Sequence, residues 1–504
     1  MTTEANNPTP TSLRDGKQKM HSIALTIVEG EPVASGTIRK SHNAPRRALV
    51  LGIIQVLIIL HVLQWWWTGR TISPIEPSEA MEFSKRGLIN AGVVFFVLTL
   101  LATLALGRWF CGWGCHLVML QDLCGWLMRK CGIRPKPFRS RVLIYVPLIL
   151  GLYMFIWPVF YRLAVAPWSN PDLAWPGFSV QFVTTDFWGT FPGWLLAVPF
   201  LLVCGFGTVY FLGAKGFCTY ACPYGGLYAQ LDKFAPGRIR VTDACEGCGH
   251  CTATCSSNVR VHEEVREYGM VVDPGCMKCL DCVSVCPNDA LYFGFGKTAV
   301  GKGPAKNATP ERNYDLSWRE EIVFALVFVL IFFAFRGMVV RFPLLMTAGL
   351  VSIITWLLWR GWRLQCDTNV RVHRFQLKLS GRIRPGGWGF VAIVTIIALL
   401  TIHAGVLNLA YLNAARFDEK VTLSQGDVFG PGVNQVSPDQ EKAATQAIRW
   451  YGFVSGFNKG GFGWITSSPT HIRLAWLHSC LGDYDAALSH LQHVESSGAK
   501  NAQL

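Results

Sequence analysis

Two cysteine runs concentrate the chemistry of this chain. The first is Cys245-x2-Cys248-x2-Cys251-x3-Cys255, and the second is Cys276-x2-Cys279-x2-Cys282-x3-Cys286, followed by Pro287. Three thiolates at three-residue intervals can wrap one iron–sulfur cubane corner by corner. The fourth cysteine then turns away and serves a second cubane. The spacing therefore assigns Cys245, Cys248, Cys251 and Cys286 to one [4Fe–4S] cluster. Cys276, Cys279, Cys282 and Cys255 are assigned to the other. Paired C-x2-C motifs also hold zinc, but zinc has no use for the repeated fourth cysteine. The 17 cysteines are too clustered for a disulfide scaffold, and thiolate clusters call for a reducing compartment.

Two shorter pairs follow a different spacing. GRWFCGWGCH carries Cys111 and Cys115, and GAKGFCTYACPYG carries Cys218 and Cys222. Residues i and i+4 share a helix face, so each pair is expected to present two thiols side by side. Four such thiols could hold a further cluster, bind Cu(I), or cycle between dithiol and disulfide. The plain alternative is a set of inert buried thiols. His116, next to Cys115, is a candidate soft-metal ligand. CGWGCH is one residue longer than the C-x-x-C-H of covalent haem, so it is not read as a haem site. His61 and His403 fall in apolar segments, where an ionisable group is a functional candidate. Neither has a visible partner on a second core helix to share a haem, so both are expected to be hydrogen-bonded packing histidines. Cys124 and Cys131 are expected to pack, and Cys204, Cys366 and Cys480 stand alone.

The elements that position these residues are membrane helices. The chain has 504 residues, of which 51% are hydrophobic and only 15% charged, against about 25% charged in soluble domains. Disorder, a coiled coil and an ordinary soluble enzyme are disfavoured. Apolar segments near 48–67, 88–106, 142–160, 191–212, 322–340, 342–359 and 388–412 each approach the ~20 residues needed to cross a bilayer, giving about seven spans. The net charge of +14 sits largely in alternate loops. Arg129, Lys130, Arg134, Lys136, Arg139 and Arg141 fill one, and Arg360, Arg363, Arg371, Arg374, Lys378, Arg382 and Arg384 fill another. That alternation predicts a cytoplasmic N-terminus, a cytoplasmic 213–321 insert and an extracytoplasmic tail. The basic charge is read as membrane topology, and no nucleic-acid partner is expected.

The expected fold is an α-helical integral membrane protein with an inserted two-cluster α+β domain. Residues 1–47 form a polar, solvated tail. Residues 48–212 carry four spans and the first C-x3-C motif. Residues 213–300 carry the second motif and the cluster domain, 301–321 are a linker, and 322–412 hold about three spans. In the 413–504 tail, 420–465 reads as Gly-rich and irregular.

GRWFCGWGC, FCTYACPYG and the double cluster run occur in that order between spans. The chain thereby resembles the membrane polyferredoxins typified by NapH, the C-terminal half of NosR and the CcoG/FixG-type accessory proteins, over about 48–300. In that family both membrane motifs usually read C-x3-C-P; here Pro223 keeps the pattern and His116 breaks it. The resemblance implies a bacterial-type two-cluster ferredoxin insert in a bacterial inner-membrane protein. It implies electron transfer from a cytoplasmic donor through two [4Fe–4S] clusters to the C-x3-C pairs, then to a quinone, a metal ion or a protein partner. A copper or thiol reductase assisting assembly of a respiratory enzyme is the second reading, and a redox-sensing scaffold the third. No nicotinamide, nucleotide or flavin motif stands out. The LGDYDAAL segment resembles one tetratricopeptide repeat, which implies a helical hairpin near 467–500 that packs on its own chain or docks a partner.

Overall fold

The computed structural model describes residues 37–133, 135–189, 193–304, 314–336, 343–430, 436–464 and 466–496. The readings made for residues 1–36, Arg134, Arg341, the 305–313 part of the linker and residues 497–504 lie outside these. The described chain is mostly helical and divides into two compact units. One comprises residues up to 55, 99–115 and 229–311, and the other residues 56–98, 116–228 and 312–504.

The first unit is built on a two-stranded antiparallel ribbon. Arg238–Val241 pairs with Leu291–Gly294, in the register Arg238↔Gly294 to Val241↔Leu291. Ile239, Val259, Val261, Val265, Val271, Ala290 and Leu291 form a small core between the ribbon and the cysteine runs. The end of the N-terminal segment also belongs here, and this corrects the reading of a solvated tail up to residue 47. Ser41 Oγ donates to Asp281 Oδ1 at 2.7 Å, Asn43 Nδ2 donates to the Leu280 carbonyl at 2.9 Å, and buried Arg47 lies 3.4 Å from Asp281. Buried charge must be paired, so the first helix starts at Asn43 and its first turns belong to the cluster domain.

The second unit is a helical bundle. Four of the described helices are long and apolar enough to cross a membrane: Asn43–Thr68, Leu143–Ser169, Leu344–Cys366 and Pro385–Asp418. Ala91–Leu106 and Leu196–Leu212 are apolar and shorter. Trp318–Arg336 is apolar between its charged ends, Arg319, Glu320, Glu321 and Arg336. The Leu344–Cys366 helix is central, with Val351, Ile354, Trp356 and Leu357 packed on Phe138, Leu143, Phe324 and Phe328. Its Ser352 and Thr355 hydroxyls return to carbonyls four residues back, which satisfies them without a second helix. Several element ends meet at one end of the bundle. Glu321, fully buried, accepts from Ser140 Oγ, from Arg141 N at 2.7 Å and from Val142 N at 3.3 Å. Glu320 pairs with Arg363 at 3.1 Å, and Arg139 N donates to Asp315 at 2.7 Å.

The tail departs from the irregular reading of 420–465. Pro438–Val454 is a regular helix of 17 residues. Ser437 caps it, Pro438 occupies the first turn, and Ala443, Ala444, Ala447 and Tyr451 recur on one face. That face, with Leu474, Leu477 and Cys480 of the Ser468–Cys480 helix, packs on Ala414 of the long Pro385–Asp418 helix. The expected hairpin consists of Ser468–Cys480 and Tyr484–Ser496, and the tail packs on its own chain. Asp418 secures it, accepting from Tyr451 Oη at 3.1 Å and pairing with Arg473. Asp418→Ala should weaken this packing by about 2–4 kcal/mol, because a buried phenol and a guanidinium lose their acceptor. Limited proteolysis should then release the tail at protease levels that leave the parent chain whole; unchanged resistance would refute the anchoring role.

Candidate functional site

The two cysteine runs adopt matching backbones. In the first, Gly247 and Gly249 have φ of 68° and 75°; at the corresponding places in the second, Lys278 and Leu280 have φ of 51° and 63°. The match continues three residues past each fourth cysteine, at Asn258 (φ 61°) and Asp289 (φ 46°). Alternating right- and left-handed residues turn successive N–H groups inward, a concavity suited to an anionic sulfur cluster. Glycine adopts this conformation freely, whereas a side chain costs on the order of 1–2 kcal/mol per residue. The second run bears that cost at Lys278 and Leu280.

The side chains sort into two cavities. One is lined by Cys245, Cys248, Cys251 and Cys286, with His250 and His262 at its wall. The other is lined by Cys255, Cys276, Cys279 and Cys282, with Ile239, Val261 and Lys278. The cross-over of the fourth cysteines is thus present in the fold. Burial pushes the Cys251 thiol up to about 11 and Cys279 to about 12, and it raises Cys255, Cys276 and Cys282 as well. Such thiols ionise only against a strongly cationic partner, and iron supplies that charge. The donor sets, four thiols at each cavity, therefore fit two [4Fe–4S] clusters.

The second cavity is anchored by Asp232, which sequence reasoning missed. Its carboxylate is fully buried. Oδ1 accepts from Lys278 Nζ at 2.8 Å and from Arg108 N at 3.0 Å, and Oδ2 lies 3.2 Å from Arg238 Nη2. Arg108 Nη1 donates to the Pro274 carbonyl at 2.8 Å, and Trp113 Nε1 to the Lys278 carbonyl at 3.0 Å. A Cβ at Gly112 would collide with the Met277 carbonyl. The short helix Trp109–Trp113, which carries buried Cys111, is therefore seated directly on the Cys276–Cys279 loop.

Neither C-x3-C pair lies on one helical face, which corrects the expectation. Cys111 is inside Trp109–Trp113, and half-buried Cys115 follows Gly114 in the break before His116–Lys130. Cys218 is inside Gly216–Tyr220, and Cys222 stands in the break before Pro223–Asp232. The cause at the second pair is Pro223, which cannot continue the helix and holds the residue before it out of the α region. At the first pair, Gly112 and Gly114 weaken the helix.

The second pair is packed against the Leu143–Ser169 helix. An added Cβ at Gly151 would stand 2.9 Å from the Pro223 carbonyl oxygen, and one at Gly226 would collide with the Pro147–Leu148 backbone. Gly151 lies eight residues, or about 12 Å, along the helix that starts at Leu143. The start of the Pro223–Asp232 helix therefore packs closely on the Leu143–Ser169 helix at Pro147, Leu148 and Gly151. Cys218 Sγ accepts from Gln121 Nε2 at 3.2 Å, and Cys222 Sγ from Gly225 N at 3.4 Å. Gln121 is itself buried.

A carboxylate segment lies beside this turn. Glu76 Oε2 is 3.9 Å from His116 Nε2. Burial, and then the charge of Glu79, raise the Glu76 carboxyl to about 7, while desolvation lowers His116. Both shifts oppose ionisation, so burial works against a salt bridge between the two. Tyr224, next to Pro223, is buried with its hydroxyl unpartnered. Burial raises its phenol, and the negative charges of Glu76, Cys222, Tyr228 and Glu79 add to that. Only His116 of this group was singled out from sequence.

The remaining candidates are structural. His61 Nε2 bonds Thr71 Oγ1 at 2.9 Å, and His403 Nε2 meets the Phe462 carbonyl at 2.8 Å. Cys124 is buried against Met128 and Val209.

Comparison with known proteins finds 4Fe-4S domains over both the cysteine runs and the C-x3-C pairs. A family model described as a 4Fe-4S dicluster domain matches residues 244–291. A second, a 4Fe-4S binding domain, matches twice, at 90–134 and 193–242, once over each C-x3-C pair. The chain is 30% identical over 219 residues to the "Ferredoxin-type protein NapH" of Haemophilus influenzae, covering 41% of this chain and 67% of that protein. It is 25% identical to the "Methylamine utilization ferredoxin-type protein MauN" of Methylobacillus flagellatus, over 44% of this chain and 79% of the relative. It is 26% identical to the "Putative electron transport protein YccM" of Escherichia coli, over 51% and 77%. No solved structure matches the chain.

Asp232→Asn should strand two buried cations at a cost of about 3–5 kcal/mol. Iron content per chain should fall, and the visible absorbance should bleach at lower temperature than in the parent. Parental iron content and bleaching temperature would show that the anchor is dispensable.

Proposed function

From the membrane polyferredoxin family, to which this chain belongs, we infer a protein that moves electrons from a cytoplasmic donor into the membrane. It delivers them to a redox carrier at the C-x3-C cysteines, either their disulfide, which takes up two electrons and two protons to become the dithiol, or a metal ion or further cluster that they hold, and from there to a quinone. Cys245, Cys248, Cys251 and Cys286 hold one [4Fe–4S] cluster, and Cys255, Cys276, Cys279 and Cys282 hold the other. Bound there, the clusters supply one-electron carriers. The protein is a multi-pass inner-membrane protein of about seven spans, with the cluster domain cytoplasmic and the tail outside.

The observation that carries this reading is the seat of the Trp109–Trp113 helix on the Cys276–Cys279 loop. It gives the second cluster site an exit toward Cys111 through packed protein. Lys278 brings a cation to that site and Asp232 holds it in place. A quinone as acceptor is supported by the carboxylate beside the second pair. Reducing a quinone consumes protons as well as electrons. Glu76, raised to about 7, can hold a proton near Cys222 and Tyr224 and release it close to neutrality.

Anaerobically prepared protein should contain about eight iron and eight sulfide per chain. In the Cys218→Ser/Cys222→Ser variant the iron should stay, because its eight ligands lie elsewhere. Reoxidation of the reduced protein by a soluble quinone analogue should slow at least tenfold. Equal reoxidation rates would return the pair to packing residues, and stoichiometric zinc in place of iron would overturn the cluster assignment.

The pH dependence has a definite sign. Glu76 carries its proton below about pH 7 and loses it above, so quinone-driven reoxidation should fall as pH rises through 7. Glu76→Gln should be slow at pH 6 and nearly flat with pH. A Glu76→Gln profile that matches the parent would remove Glu76 from the proton route.

A further inference from the structure

The tail carries four histidines on one helical hairpin, and none of the chemistry above uses them. His471 and His478 are seven residues apart on Ser468–Cys480, and His490 and His493 are three apart on Tyr484–Ser496. Both spacings return a side chain to the same face of its helix. The rings form a continuous series. The centroids of His478 and His490 are 5.6 Å apart, those of His490 and His471 are 5.1 Å, and those of His471 and His493 are 5.0 Å. At the centre, His471 Nδ1 and His490 Nδ1 face each other at 2.9 Å. His471 is buried, His490 is half-buried and His493 is exposed, so the series runs from the hairpin interior to its surface.

The spacing matches a metal centre. Imidazole nitrogens bind zinc at about 2.0–2.1 Å, so two rings on one tetrahedral ion have nitrogens about 3.3 Å apart and centroids about 5 Å apart. The two separations centred on His471 already have that value. The nitrogens of His471 and His490 need to part by only a few tenths of an ångström, with a tautomer change that leaves each ring's outer nitrogen protonated. His478 Nδ1 lies 3.1 Å from Asp483 Oδ2, the kind of carboxylate–histidine pair that orients imidazoles around metal sites. Among the described residues no group of three His, Cys, Asp or Glu side chains could hold a metal ion as they stand. A site here requires the His471–His490 pair to part and the exposed His493 ring, 5.0 Å from His471 by centroid, to turn toward it.

We propose that His471, His490 and His493 form a binding site for a borderline divalent cation of the zinc, nickel or copper(II) class, with the fourth position open to solvent. The site is independent of the iron–sulfur chemistry and lies in the part of the chain that packs around Asp418. An ion there would clamp the two helices of the terminal hairpin.

The test uses full-length, anaerobically purified protein with its iron in place, stripped of loosely bound metal by a chelator and titrated with Zn(II). One zinc per chain should bind at micromolar or tighter affinity, and the zinc K-edge spectrum should show a nitrogen and oxygen shell without sulfur. His490→Ala should weaken zinc at least a hundredfold and leave iron content unchanged. Because His490 touches the buried His471, His493→Gln provides a second variant at an exposed position and should weaken zinc at least tenfold. No zinc binding, a sulfur-containing shell, or parental affinity in either variant would overturn the site.

Discussion

A single buried carboxylate sets the relation between the cluster loops and the helices around them. Asp232 ends the Pro223–Asp232 helix. Its two oxygens hold Arg238 at the head of the ribbon, Lys278 inside the second cysteine run and the backbone of Arg108 just before Cys111. One anion against two buried cations is not a neutral arrangement. The surplus positive charge lies beside a cavity whose thiolate-bound contents are anionic, and that balances it. Without the carboxylate, Lys278 would have no reason to occupy a left-handed position that glycine holds in the first run.

That asymmetry between the runs separates what sequence could reveal from what it could not. Thiol spacing is a local property, and it forecast both cavities and the exchange of fourth cysteines between them. The left-handed sites were half-legible: Gly247 and Gly249 mark them openly, whereas Lys278 and Leu280 hide them. Asp232, Arg108 and Ser41 carried no signal, because each acts on residues tens to hundreds of positions away. Long apolar segments were legible for the same local reason. The Pro438–Val454 helix was missed because the flanking glycines outweighed its alanine stripe in the reading.

The membrane cysteines show a subtler failure. Spacing of i, i+4 is a helical signal only where the backbone stays helical. Pro223 is adjacent to the second cysteine and forbids that, and the residue was in plain view. The break has a chemical use. A thiol at a helix break stands near free backbone N–H groups, and Cys222 accepts one from Gly225. A thiol inside a continuous helix would find those donors already engaged.

On the proposed route to a quinone, the acid segment beside the Pro223 turn would have a definite use. Electrons can cross packed protein without atoms moving, but a proton needs a chain of groups that can each hold it. Among buried side chains such as Gln121, Tyr224 and Tyr228, bulk water is not at hand to provide one. Glu76 meets that need at an acidity near neutrality because burial and the neighbouring Glu79 both disfavour its charge. A carboxylate of ordinary acidity would stay ionised and could not return a proton. The buried Tyr224 hydroxyl has no hydrogen-bond partner and feels the charges of both Glu76 and Cys222, so on the proposed route it is a group through which such a proton would pass. On that route the cysteine turn and the acid segment divide the work: the turn meets the electron acceptor, and Glu76 holds the proton that accompanies the electron.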